Sequence, residues 1–110
     1  MSEFTRARKA LITRILEGEG KAPPAQRRAA FENTGQAEPL RTLIHKVAHH
    51  AYKIVDADIA AVKKSGLRED EIFELVVCAA IGQATRQYDT ARTALEAATE
   101  RRGNASHNPR

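Results

Sequence analysis

Residues 69–101 read EDEIFELVVCAAIGQATRQYDTARTALEAATER, and their spacing decides the fold. Phe73, Val77, Ala80, Ala84, Tyr88, Ala91, Leu95 and Ala98 follow one another in steps of three and four, the repeat of one face of an α-helix. Glu69, Asp70 and Glu71 stand at the start, where negative side chains complement the positive end of a helix dipole. The first half, Ile72 to Ile81, is apolar almost all round and is expected to be fully buried. Beyond Gly82 only an alanine-rich stripe remains, a surface suited to a close antiparallel neighbour or a subunit partner.

Working back along the chain, Gly66 closes a helix expected over Ala57 to Ser65. Asp56 or Asp58 can cap its start, and Lys63 and Lys64 suit its last turn. Pro39 opens the helix before it, whose stripe of Leu40, Leu43, Ile44, Val47, Ala48 and Ala51 is expected to continue through Tyr52, Ile54 and Val55 to a break near Asp56. Pro23 and Pro24 open a short helix, Ala25 to Glu32, with Ala29, Ala30 and Phe31 as its apolar surface. Asn33-Thr34-Gly35 stops it. The first helix is expected over Phe4 to Glu17, with Leu11, Ile12, Ile15 and Leu16 on its apolar side, ended by left-handed Gly18 and Gly20.

The expectation is a compact all-α domain of about five helices with a long C-terminal helix, assembled as an oligomer. Residues 1–38 read as an N-terminal helical extension, 39–101 as the core, and 102–110 as a disordered polar tail. A chain of 110 residues forms one domain. A domain that small buries only about 60–70% of its unfolded surface, so oligomerisation would add stability.

The net charge of +4 is unevenly distributed. Residues 1–30 carry seven Lys/Arg against three acids, while residues 31–100 carry eight against eleven. The last ten residues add three arginines and no acid. Basic ends around a mildly acidic body do not favour specific nucleic-acid binding, which more often uses a basic face of the folded domain. One cysteine excludes an intramolecular disulfide and fits a reducing compartment, with the cytoplasm as the expected location. No run approaches the ~20 apolar residues of a membrane span. Thr13 and Arg14 interrupt the only stretch that could form a signal-peptide core.

Three features could carry chemistry. His45 and His49 share a helix face, with His50 beside them, at the spacing of two-histidine metal sites; no third ligand or HExxH pattern accompanies them, so no metal is assigned. Cys78 lies among aliphatic side chains with no charged neighbour to stabilise a thiolate, and reads as an inert buried residue. Glu74 sits between Phe73 and Leu75 where the helix becomes buried, which calls for a paired donor. Arg86, Arg92, Arg41 and Lys46 are its candidate partners, and a structural ion pair is favoured over catalysis. Glu74, His49 and His45 are the candidate catalytic residues. No glycine-rich phosphate loop or other cofactor motif is present.

The run Asp58-Ile-Ala-Ala-Val-Lys-Lys-Ser-Gly66-Leu67, then Glu69-Asp-Glu-Ile-Phe-Glu-Leu-Val-Val77 and Ala79-Ala80-Ile81-Gly82, resembles the alkyl hydroperoxidase D-like (carboxymuconolactone decarboxylase-like) superfamily. The resemblance covers Val47–Ala98, about half the chain. In the peroxidase members a Cys-x-x-Cys pair and a histidine precede this segment. Counting back from Gly66 places Asp58 at the histidine position and Ile54 and Ala51 at the thiol positions. The family's glutamate falls at Pro39, beside Glu38. Thiol–disulfide exchange needs two sulfurs, so that peroxidase route is closed to this chain alone.

The resemblance implies a non-catalytic or accessory member: an oligomeric helical domain that binds a small molecule or a partner protein. Decarboxylase-type members work without the cysteine pair. The alternative is therefore a cysteine-independent decarboxylase- or isomerase-like enzyme on a small acidic or lactone substrate, needing Glu74 and a histidine on one pocket. A third alternative is a small basic nucleic-acid-binding protein acting through its ends.

Overall fold

A computed structural model describes the backbone of residues 2–107 and the side chains of residues 2–102. It has five α-helices and, among the described residues, no strand. They are α1 (Glu3–Glu17), α2 (Pro24–Glu32), α3 (Leu40–His49), α4 (Asp56–Lys64) and α5 (Glu69–His107), with a 3-10 turn over Ala51–Lys53. The all-α class, the element order and the long last helix match the expectation.

Local chemistry explains most boundaries. The Ser2 hydroxyl accepts a hydrogen bond from the Thr5 amide and caps α1. Pro24 occupies the first turn of α2, where its missing N–H costs nothing. Asn33 ends α2 in the left-handed conformation, and the Thr34 amide returns to the Ala29 carbonyl to close the helix end. Neither aspartate caps α4 as expected: Val55 is the N-cap, and Asp58, in the first turn, reaches back to accept from the Val55 amide at 2.9 Å. Gly66, at φ 116°, terminates α4 in a conformation that suits glycine.

Three boundaries differ from the sequence reading. Gly18 ends α1 at φ −71°, in extended rather than left-handed backbone. α3 stops at His49, and the 3-10 turn carries the chain away, so Tyr52 and Val55 are exposed instead of extending the stripe. α5 continues past the expected end at Arg101 to His107, which makes the first part of the supposed tail helical; residues 108–110 lie outside the described residues.

The first half of α5 is the axis of the domain. Leu75, Cys78 and Ala79 pack with Leu16, Ala22, Ala30 and Ile44. Ile72 packs with Leu43 and Val62, while Leu40, Val47 and Leu67 touch both clusters. Segments from residues 1–38 therefore share a core with α5. α2 crosses α5 at Gly82, so closely that a β-carbon there would collide with the Phe31 carbonyl. Arg86 fastens the same crossing by donating to that carbonyl at 2.7 Å.

The expectation that Ile72–Ile81 is buried all round is corrected. Ile72, Leu75, Cys78 and Ala79 face inward, whereas Phe73 is 68% exposed and Ala80 is also exposed. The periodic stripe that announces the helix is its outer face. Further along, Tyr88 and Leu95 are exposed too, and with α5 included the molecule measures 67 × 29 × 20 Å.

Candidate functional site

Glu74 meets backbone, not a cation. Its carboxylate accepts from the Lys21 amide at 2.9 Å and the Ala22 amide at 2.7 Å, pinning the loop between α1 and α2. Gly20 lets the loop approach: a β-carbon there would stand 2.9 Å from Glu74 Oε1. The four expected partners are engaged elsewhere. Arg86 holds Phe31 and Gln83, and Arg92 lies near Asp89 and Glu96. Arg41 pairs with Glu38 and Lys46 with Asp58.

A cleft of about 450 Å³ adjoins Glu74 and is lined by Leu11, Ile15, Arg27, Phe73, Val77 and Cys78 among others. No histidine reaches it. Arg27, absent from the candidates above, is 5% exposed; its place three residues before Ala30, on the same helix face, is the signal for it. Its guanidinium donates to the Ala22 carbonyl at 2.9 Å and the Ile15 carbonyl at 3.2 Å. Cys78 is 1% exposed, and burial pushes its thiol up from the ordinary value, against a smaller opposing effect of Arg27. A thiol held protonated makes a poor nucleophile.

The histidines lie on another side of the molecule. The His45 and His49 rings are 4.7 Å apart, and His50 stands 6.0 Å from His45 and 6.5 Å from His49. The Asn33 amide nitrogen is 3.2 Å from His49 Nε2. Among the described residues no three His, Cys, Asp or Glu side chains are placed to hold a metal ion. His45 and His50 border a cleft of about 520 Å³ with Asn33, Glu38, Arg41, Thr42, Lys46 and Lys53. Glu74 and the histidines thus occupy separate clefts with no shared lining residue.

The positions implied by the resemblance lie beside this second cleft. Ala51 is exposed at the start of the 3-10 turn, and Ile54 packs against the Leu43–Val62–Ile72 cluster. Asp58 accepts from the Val55 amide and from Lys46 Nζ at 3.0 Å, and both contacts hold its carboxyl below the usual range. Glu38 accepts from the Thr42 hydroxyl at 2.7 Å and from Arg41. The Thr42 contact is the main reason that the Glu38 carboxyl is also lowered.

The third surface is an apolar groove of about 360 Å³ between α1 and α5, lined by Phe4, Ala7, Leu11, Ile81, Ala84 and Tyr88 with Arg8 and Thr85. The Phe4 and Tyr88 rings stand 5.2 Å apart. Arg8 lies 5.1 Å over the Tyr88 ring and pairs with Asp89 at 2.9 Å. Several N-terminal cations are thereby engaged within the fold: Arg8, the buried Arg27, and Arg28 with Glu17 at 3.4 Å. No helix among the described residues is long and apolar enough to cross a membrane.

Comparison with protein-family models, with curated proteins and with solved structures finds no match to this chain.

Proposed function

We propose that this chain is a non-catalytic helical module that works as a homo-oligomer in the cytoplasm, built on a scaffold of the alkyl hydroperoxidase D-like kind. One observation carries the reading: the outward stripe of α5 is apolar and continuous, and beyond Tyr88, which Phe4 and Arg8 of α1 meet, no other helix among the described residues covers it. Phe73 is 68%, Tyr88 41% and Leu95 68% exposed. From Ala84 the stripe proceeds through Tyr88, Ala91, Leu95 and Ala98 in the alternating four- and three-residue steps of a coiled-coil seam. A seam of that kind is stabilised only against another helix, and alanines permit close approach. The same stripe on a second copy, laid antiparallel about a two-fold axis, is self-complementary. Arg92, Glu96 and Glu100 flank the seam with both signs of charge, which suits pairing with a copy of itself.

The enzymatic alternative needs Glu74 and a histidine on one cavity. Glu74 instead spends its carboxylate on two loop amides in a cleft without histidine. No observation favours that alternative over a structural role for Glu74.

Gel filtration with light scattering at micromolar concentration tests the proposal. The chain is expected at a multiple of 12.1 kDa, and Leu95→Asp is expected to return it to the monomer. Monomeric behaviour of the unmodified chain across that range overturns the assembly.

A further inference from the structure

The cleft bordered by His45, His50 and Lys53 has a charge balance that the assembly does not use. Two carboxylates lie near it, and both are already occupied. Glu38 accepts from the Thr42 amide and hydroxyl and from Arg41. Asp58, on α4, accepts from Lys46 through both oxygens and from the Val55 amide. These contacts neutralise Arg41 and Lys46. Lys53, His45 and His50 have no carboxylate partner among the described residues; the Lys53 ammonium stands 5.9 Å over the Tyr52 ring. On the other side of His49, α5 presents Gln83, Arg86 and Thr90, adding a cation and no acid.

We propose that this cleft binds a small organic phosphate monoester, its phosphate held by Lys53, His45 and His50. A phosphate monoester carries a charge of about −1.5 to −2 near neutral pH and three strong acceptor oxygens. That supplies an acceptor for each of three donors lining one cleft, where a carboxylate has only two oxygens to offer. The volume, about 520 Å³, suits a ligand of nucleotide size or smaller. Tyr52, 82% exposed with its ring edge-on to His50 at 6.1 Å, gives the organic part a flat surface at the rim.

The histidines also make binding depend on pH. Histidine as a residue type changes its charge between pH 5 and 8. A bound dianion favours the charged form of an imidazole that donates to it. Binding therefore takes up protons, and affinity rises as the solution is brought from about pH 8 towards about pH 6.5.

Isothermal titration of the full chain tests this, with inorganic phosphate, adenosine monophosphate, acetate and a short single-stranded oligonucleotide as probes. Running each titration in two buffers of different ionisation enthalpy counts the protons taken up. Adenosine monophosphate is expected to bind saturably and more tightly than phosphate, with proton uptake, and acetate not at all. Lys53→Gln combined with His50→Gln is expected to weaken binding about tenfold or more. Lys9→Gln, on exposed α1, is the charge-matched control and should leave binding unchanged. Phosphate-induced shifts of the histidine ring protons in the unmodified chain give a second readout that needs no variant. The proposal is overturned by an absence of saturable binding or of histidine shifts, by binding indifferent to pH or to the Lys53 and His50 changes, or by binding of the oligonucleotide alone. None of these results bears on the mass of the assembly, so the two proposals fail separately.

Discussion

Gly82 and Phe31 meet so closely where α5 crosses α2 that the Phe31 carbonyl fills the space a β-carbon on residue 82 would need. Alanine is ordinarily the better helix residue, by about 1 kcal/mol. Here the sign reverses. Gly82→Ala is expected to destabilise the domain by about 1–3 kcal/mol, because α2 must move away and take the Arg86–Phe31 hydrogen bond with it. Urea unfolding checks this, and a gain in stability would show that the crossing yields easily.

Glu74 organises the loop ahead of α2 through the Lys21 and Ala22 amides. Glu74→Ala leaves the Lys21 and Ala22 amides without their acceptor and is expected to cost about 1–3 kcal/mol, the penalty of unsatisfied donors. Glu74→Gln retains one acceptor oxygen and should cost less. Hydrogen exchange at Lys21 and Ala22 should accelerate in the alanine variant while the α3 and α4 amides keep their protection relative to global stability.

Asp58 links stability to acid. Its carboxyl lies below the usual range, chiefly through the Val55 amide and then through Lys46. A group lowered on folding stabilises the native state above its unfolded value and loses that contribution as pH falls through the lower folded one. The melting temperature is therefore expected to fall as solutions are taken from about pH 5 towards about pH 3. Glu38 and Glu69 act in the same direction, through Thr42 and Lys63 respectively. Asp58→Asn should shallow that acid-side slope; an unchanged slope would assign it to other carboxylates.

Much of this architecture is legible in the sequence because its punctuation is local. Pro24, Asn33 and Gly66 mark helix ends through backbone geometry that depends on a few neighbouring residues. What the pattern does not reveal is which side of α5 faces inward. Over Ile72–Ile81 both faces are apolar, and only the presence of α2 and α3 selects Leu75 and Cys78 over Phe73 and Ala80. Glu74 illustrates the same limit. Its partners are main-chain amides, and any residue type supplies an amide, so a search for cations could not find them. The histidine group is legible from its spacing; its separation from Glu74 follows from the helix packing alone.

α5 is continuous in geometry but divided in energy. Through Arg86 its residues are tied to four other helices, and that part unfolds with the domain. From Ala91 to Arg102 nearly every side chain is exposed, and short helices without tertiary contacts are marginal in water. One unbroken helix therefore contains a strongly protected inner half and an outer half whose amides open on their own. In the monomer the protection would decline step by step along the rod; a partner helix on the outer stripe would carry it to the far end.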